Sequence, residues 1–276
     1  MKRKAPYEMI VERTIVDDLG LKLYDKISAV VAEVIANSYD ADAKEVIIEV
    51  PLNKTLATMQ RGKIVQGEYV IRILDDGHGM TPEEANDFYL KVGRHRRDYP
   101  KQGGNFSRDE HRLLMGRKGI GKLAPFGVCK TIEVWSAGGK KKDKKFLISH
   151  FLLNYDQIVK MGENPKKPYL PTPLKDDGTW SAKSGTVITL KDFLVKRVPD
   201  KETFLRQLGY RFGLGTDSFK ITVKDIKSPS EGSFTLTPVS LDLMDGTKVD
   251  INEEIITPSG QKLPIRGWAG MSKVSY

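Results

Sequence analysis

Five aliphatic residues constrain this chain more than any other feature. Ile27, Val30, Val31, Val34 and Ile35 recur at i, i+3, i+4, i+7 and i+8. That period predicts a helix over residues 26–38 with one buried stripe. The run EVIIEV follows at 45–50 and reads as a strand, after only a short Asp-Ala-Asp-Ala turn. A helix that hands over so quickly to a strand has to pack against the sheet the strand joins. The chain therefore contains an α/β layer, and its first helix lies inside the domain.

The later segments extend this picture. EYVIRIL at 68–74 reads as a second strand, a candidate antiparallel neighbour of the first, beyond a polar stretch, NKTLATMQRGK. Thr81 is placed to N-cap a helix, with Pro82 at its first position and Glu84 three residues on, a capping-box pattern. TIEVW (131–135), KFLISHFLL (145–153), GTVITL (185–190) and FKITV (219–223) read as strands, and residues 200–212 as a helix. Residues 91–118 show no apolar period and are rich in Gly, Arg, Lys and His. So long a stretch without a pattern inside a domain is unusual and is often functional or mobile. The order of elements does not alternate regularly, so a mixed sheet covered by helices fits better than a doubly wound parallel one.

The 276 residues suffice for one large domain or for one domain and part of a second. No apolar run approaches the ~18 residues of a membrane span. The basic start, MKRKAPYEMIVERT, has no apolar h-region behind it, and Cys129 is the single cysteine. Both features make the cytosol the expected compartment. Lys and Arg outnumber Asp and Glu by 45 to 36, a net charge of +9 that favours anionic partners. The stretch GGKKKDKKF at 138–146 holds five of the lysines in an expected hairpin tip.

Three polar patterns interrupt this framework. On the first helix Glu33, Asn37 and Asp40 fall within roughly 60° of arc, forming one polar edge beside the buried stripe. LDDGHGM at 74–80 ends a strand on Asp75 and Asp76 and then sets two glycines one residue apart. Asp-Gly is a turn signal. A strand-end carboxylate followed by Gly-x-Gly can also meet a flat heterocycle, the carboxylate accepting from an exocyclic amine. GRKGIGKLAPFG at 116–127 spaces its glycines as G-x-x-G-x-G, which is not the P-loop spacing.

Together these patterns resemble the GHKL ATPases, the superfamily of DNA gyrase, the heat-shock chaperone of that class, histidine kinases and MutL. The matching elements are Glu33-x-x-x-Asn37-x-x-Asp40-Ala41, Asp75-x-Gly77-x-Gly79, Gly116-x-x-Gly119-x-Gly121 and Gly185-Thr186, in the family's order. The resemblance covers roughly residues 10–225. It implies a two-layer α/β sandwich of the Bergerat type, with helices on one face of a mixed sheet and a small β-rich segment at the C-terminal end. It also implies ATP and Mg²⁺ as cofactors. Asn37 would ligate the metal, and Glu33 would be the general base. Asp75 would read adenine, assisted by Thr186 through water. Asp40, Ala41, Gly77, Gly79 and Met80 would line the nucleotide site. Gly116, Lys118, Gly119, Ile120, Gly121 and Lys122 would form the lid hinge and phosphate nest, with backbone N–H groups facing the anion.

Within the superfamily, histidine kinases usually lack the glutamate at the Glu33 position, so hydrolysis is expected over phosphotransfer. The turn at 40–43 is most similar to MutL and MORC-type ATPases. The resemblance implies an ATP-binding domain over 1–225. Residues 226–276 would then begin a transducer-like domain or a C-terminal extension, truncated here, so that hydrolysis in this piece would be weak. The expected mechanism is a clamp: ATP orders the 91–118 lid and favours a homodimer. A DNA-binding clamp whose main contact is 138–146, and a chaperone-type clamp on a protein client, are the alternatives.

Overall fold

The computed structural model describes residues 25–92, 104–109, 112–116, 119, 121–162, 168–212, 218–227, 232–237, 243–257 and 260–273. The chain divides into two compact units, Met1–Thr237 and Pro238–Tyr276.

In the first unit the predicted helix is α1, Ile27–Asp40, followed by β1, Glu45–Val50. The polar stretch beyond it forms a hairpin, β2 (Ala57–Gln60) and β3 (Lys63–Gln66), which the sequence pattern does not announce. β4 is Ile71–Asp75. Thr81 and Glu84 make the reciprocal bonds of a capping box at the start of α2, Pro82–Glu84, which continues as a π-helical turn, Ala85–Tyr89. A 3₁₀ helix spans Gly121–Gly127 and leads into the long hairpin of β5 (Cys129–Lys142) and β6 (Lys145–Asn154). Then come α3 (Tyr155–Gly162), β7 (Thr172–Pro173), β8 (Trp180–Ser181), β9 (Gly185–Phe193), α4 (Lys201–Phe212), β10 (Lys220–Asp225) and β11 (Ser233–Thr235).

Nine strands form one mixed sheet in the order β11-β10-β1-β4-β9-β5-β6-β7, with β8 also on β6. β1 and β10 are parallel, while β1–β4, β4–β9, β5–β9 and β5–β6 are antiparallel. Beyond residue 225 the sheet continues, because β11 pairs with β10 through Thr222↔Thr235.

The pairing register aligns one residue from each of six strands. Val223, Ile48, Ile73, Ile188, Val134 and Phe151 are successive cross-strand partners, and none is more than 5% exposed. The stripe of α1 belongs to the same core, as do Phe204 and Leu208 of α4. Each such aliphatic side chain contributes roughly 1.5–3 kcal/mol of transfer free energy, largely offset by the entropy of ordering the chain. This is a two-layer α/β fold with helices packed against a mixed sheet, as the sequence predicts. Among the described residues, no helix is long and apolar enough to cross a membrane.

The second unit is built on a hairpin, β12 (Val249–Ile256) and β13 (Lys262–Ala269), with Leu243 bridged to Ser272. Its register puts Val249, Ile251, Ile255, Leu263, Ile265 and Ala269 on one face, together with Glu253.

Candidate functional site

Two residues along from the apolar row, the same face of the sheet turns polar. The aligned partners are now Ile221, Val46, Asp75, Thr186, Ser136 and Ser149. Four adjacent strands thus each place a polar side chain at one level, on a face otherwise filled with aliphatics.

These groups bond to one another and to the backbone after β4. Thr186 N and Gly77 N donate to Asp75 Oδ1 at 3.2 and 3.0 Å, and Ser38 Oγ of α1 donates to Asp75 Oδ2 at 2.8 Å. The hydroxyls of Ser136 and Thr186 share a hydrogen bond of 2.9 Å. Met80 N donates to Ser136 Oγ at 2.9 Å, and Ser149 Oγ donates to Met80 O at 3.0 Å. Gly79, with φ +60°, sits where an added Cβ would come 1.9 Å from Ala137 O, so only glycine allows the close approach of the two backbones. Gly77 is also closely packed, with Ala41 O 2.7 Å from its would-be Cβ, and Ala41 O also accepts from His78 N.

The paired aspartates divide their work. Asp76 Oδ1 accepts from Lys44 N and Glu45 N at 2.7 and 2.9 Å and so fixes the entry to β1. Asp75 faces the polar row. Burial pushes its carboxyl up to about 6, against the hydrogen bonds from Ser38, Gly77 and Thr186 that favour the ionised form. Holding this charge at neutral pH costs the fold on the order of 3 kcal/mol. A carboxylate kept ionised at such a cost is a mark of a functional site. Its bonding is also incomplete. Oδ1 already accepts twice and Oδ2 once, so a carboxylate with about four acceptor positions keeps one on Oδ2 for a further donor.

The polar edge of α1 borders this row through Ser38. Asn37 is exposed, and its amide makes no hydrogen bond among the described residues. Asp40 accepts from Met115 N at 2.8 Å and from Gly116 N at 2.9 Å. Glu33 lies against Gly121, whose would-be Cβ is 2.8 Å from Glu33 Oε2. One end of the glycine segment is therefore held at Asp40, and the other lies beside Glu33. These residues lie about 10 Å apart along the helix, and Asn37 stands between them. Gly119 has φ +63°, in the left-handed region that favours glycine.

The segment before it is tied to the same helix end. Asp42 Oδ2 accepts from Asp109 N at 2.8 Å, and Arg112 donates to Ala43 O at 2.6 Å with its guanidinium 4.9 Å from the Tyr39 ring centroid.

Two expected roles look different in space. Asp40, expected at the cofactor, holds the protein's own backbone. Lys122, expected in the phosphate nest, donates to Phe88 O and Lys91 O, both at 2.8 Å. Carbonyls left open at the end of the π-helical turn attract its ammonium group. Lys118 and Ile120 lie outside the described residues, as does most of the expected lid. Ser38, Ser136 and Ser149 were missed from the sequence. Their signal was present in part: Ser38 follows Val34 and Ile35 in the apolar stripe, and Ser136 shares the strand parity of Ile132 and Val134.

Residues 24–186 match the sequence model of the histidine kinase-, DNA gyrase B- and HSP90-like ATPases. The chain belongs to this ATPase family. The matched span runs from the start of α1 to Thr186 and so takes in Glu33, Asn37, Asp75 and the glycine segment. Over 217 residues, 79% of its length, the chain is also 29% identical to a protein of Herpetosiphon aurantiacus described as a putative type II restriction enzyme, HgiDII. The chain spans 31% of that relative.

Proposed function

We propose that this chain binds ATP with Mg²⁺ on the polar row, hydrolyses it from the α1 edge, and uses nucleotide-driven closure and homodimerisation as a clamp. The observation that carries this reading is the open acceptor on Asp75 Oδ2, set in an aligned polar row beside Glu33 and Asn37. Asp75 Oδ2 accepts from the exocyclic amine of adenine. Gly77, Gly79 and Met80 give the ring a backbone wall, and Thr186, held by the buried Ser136, supplies a hydroxyl beside it. Among the described residues, no group of three or more His, Cys, Asp or Glu side chains could hold a metal ion. One Asn37 amide oxygen, with phosphates and waters completing the shell, matches what Mg²⁺ accepts from proteins. When bound, the metal and the triphosphate supply the electrophilic phosphorus and the neutralising charge. Glu33 orients a water and takes up its proton. The Met115 and Gly116 amides, drawn to Asp40, keep the glycine segment next to that water.

The domain that binds nucleotide is the unit ending at Thr237, and the hairpin β12–β13 begins a following domain of the transducer kind. Its mostly apolar face suits strands that pack against a further layer. A direct test is sedimentation with a non-hydrolysable ATP analogue and Mg²⁺. The clamp requires a monomer without nucleotide and a dimer with it, and a monomer in both states would remove the clamp.

The basic hairpin tip favours DNA as the client. Lys142, Lys144 and Lys145 are exposed around the turn between β5 and β6, and the relative described as a putative restriction enzyme points to the same polymer. Filter binding to duplex DNA at 50 and 200 mM salt should show a loss of roughly 10-fold or more, since each neutralised phosphate steepens the salt dependence. No binding at the lower salt would exclude this client.

A further inference from the structure

We infer that Arg211 of α4 is a positioning residue for the Glu33 carboxylate, an inference that rests on Glu33 being the base. α4 docks on α1 at two points. Ser28 Oγ donates to Gln207 Oε1, and one turn further along α4 the Arg211 guanidinium (Nη1) lies 3.6 Å from Glu33 Oε1. Gln207 and Arg211 are i and i+4 on α4, so they share a face. Their partners ascend along α1 in the same order.

On its other side Glu33 meets the 3₁₀ helix. A Cβ at Gly121 would stand 2.8 Å from Glu33 Oε2, leaving little free space there. One oxygen is thus directed to Arg211 and the other to the Gly121 backbone. The carboxylate is flanked by two elements that are far apart in sequence.

Stability does not explain the pair. The Arg211 side chain is 48% exposed and that of Glu33 28%. Ion pairs so open to water contribute little to folding. Aim is a different matter. A glutamate has three side-chain torsions, and a base that is free to rotate spends much of its time away from the water it must deprotonate. Small errors of position cost orders of magnitude in rate. A guanidinium fixed on a docked helix narrows those rotamers.

The test uses the full-length natural chain, in three variants and one double variant. Arg211→Gln should lower kcat about tenfold with KM for Mg²⁺·ATP and Kd for ADP unchanged. Arg211→Lys, which keeps the charge, should restore most of that loss. Adding Arg211→Gln to Glu33→Gln should cost nothing further, because the residue acts only through the glutamate. With ¹³C-labelled glutamate, the Glu33 carboxyl resonance should move in Arg211→Gln without nucleotide present, a readout independent of turnover. An unchanged kcat with an unmoved resonance overturns the inference, and so does a loss expressed in the Kd for ADP rather than in kcat. If Glu33→Gln alone leaves hydrolysis intact, the fault lies instead in the assignment of the base.

Discussion

Glu33→Gln should lower ATP hydrolysis by the natural full-length chain at least 100-fold, while nucleotide affinity stays within about threefold. Glutamine nearly matches glutamate in shape, so it can still lie between Arg211 and Gly121. What it loses is the capacity to take a proton from water. The change leaves the polar row untouched, because Asp75, Thr186, Ser136 and Ser149 make their hydrogen bonds without Glu33. Steady-state phosphate release and a parallel calorimetric titration separate the two effects. Equal losses in rate and affinity would mean that Glu33 serves binding instead.

Asp75→Asn should cost nucleotide binding on the order of 100-fold and leave the protein folded. The donors around the carboxylate dictate this outcome. Gly77 N and Thr186 N can only donate, so the amide oxygen of asparagine has to take the Oδ1 place. The amide NH₂ then occupies the Oδ2 place, beside Ser38 and facing the ligand. Ser38 can turn its hydroxyl to accept, but the adenine amine cannot, and two donors confront each other. The fold does not suffer, since a charge that burial disfavours has been removed. The same carboxyl gives a pH signature. With its ordinary range raised to about 6 by burial, a drop from pH 7 to pH 5 protonates it. Binding of adenosine, which has no phosphate to titrate, should weaken about tenfold over that interval. Stability should move the other way: a raised carboxyl opposes folding when ionised, and this opposition fades as pH falls through 6.

Much of the framework was legible because it is local. The α1 stripe, the β1 run and the capping box at Thr81 are short-range patterns, and each forms where the sequence places it. The polar row was only half legible. Asp75 and Thr186 stood out through neighbouring glycines, whereas Ser136 and Ser149 sit in ordinary strand sequence. Only the register across β4, β9, β5 and β6 makes the four one surface, and register is a long-range property. Lys122 shows the same limit. Its glycine-rich neighbourhood suggested an anion, while the carbonyls that hold it belong to residues about thirty positions earlier. Arg211 had no sequence signal at all, because its meaning comes from α4 docking on α1. The helix α3 and the hairpin β2–β3 were missed for a simpler reason: at eight residues, and at four per strand, they are too short for a pattern to stand out.

A crystal structure with ADP and Mg²⁺ bound would locate the adenine relative to Asp75. The adenine amine should lie within hydrogen-bond reach of Asp75 Oδ2, with the ring against the Gly77 backbone and beside the Thr186 hydroxyl. Adenine bound elsewhere, with Asp75 still engaged only by Ser38, Gly77 and Thr186, would contradict this placement.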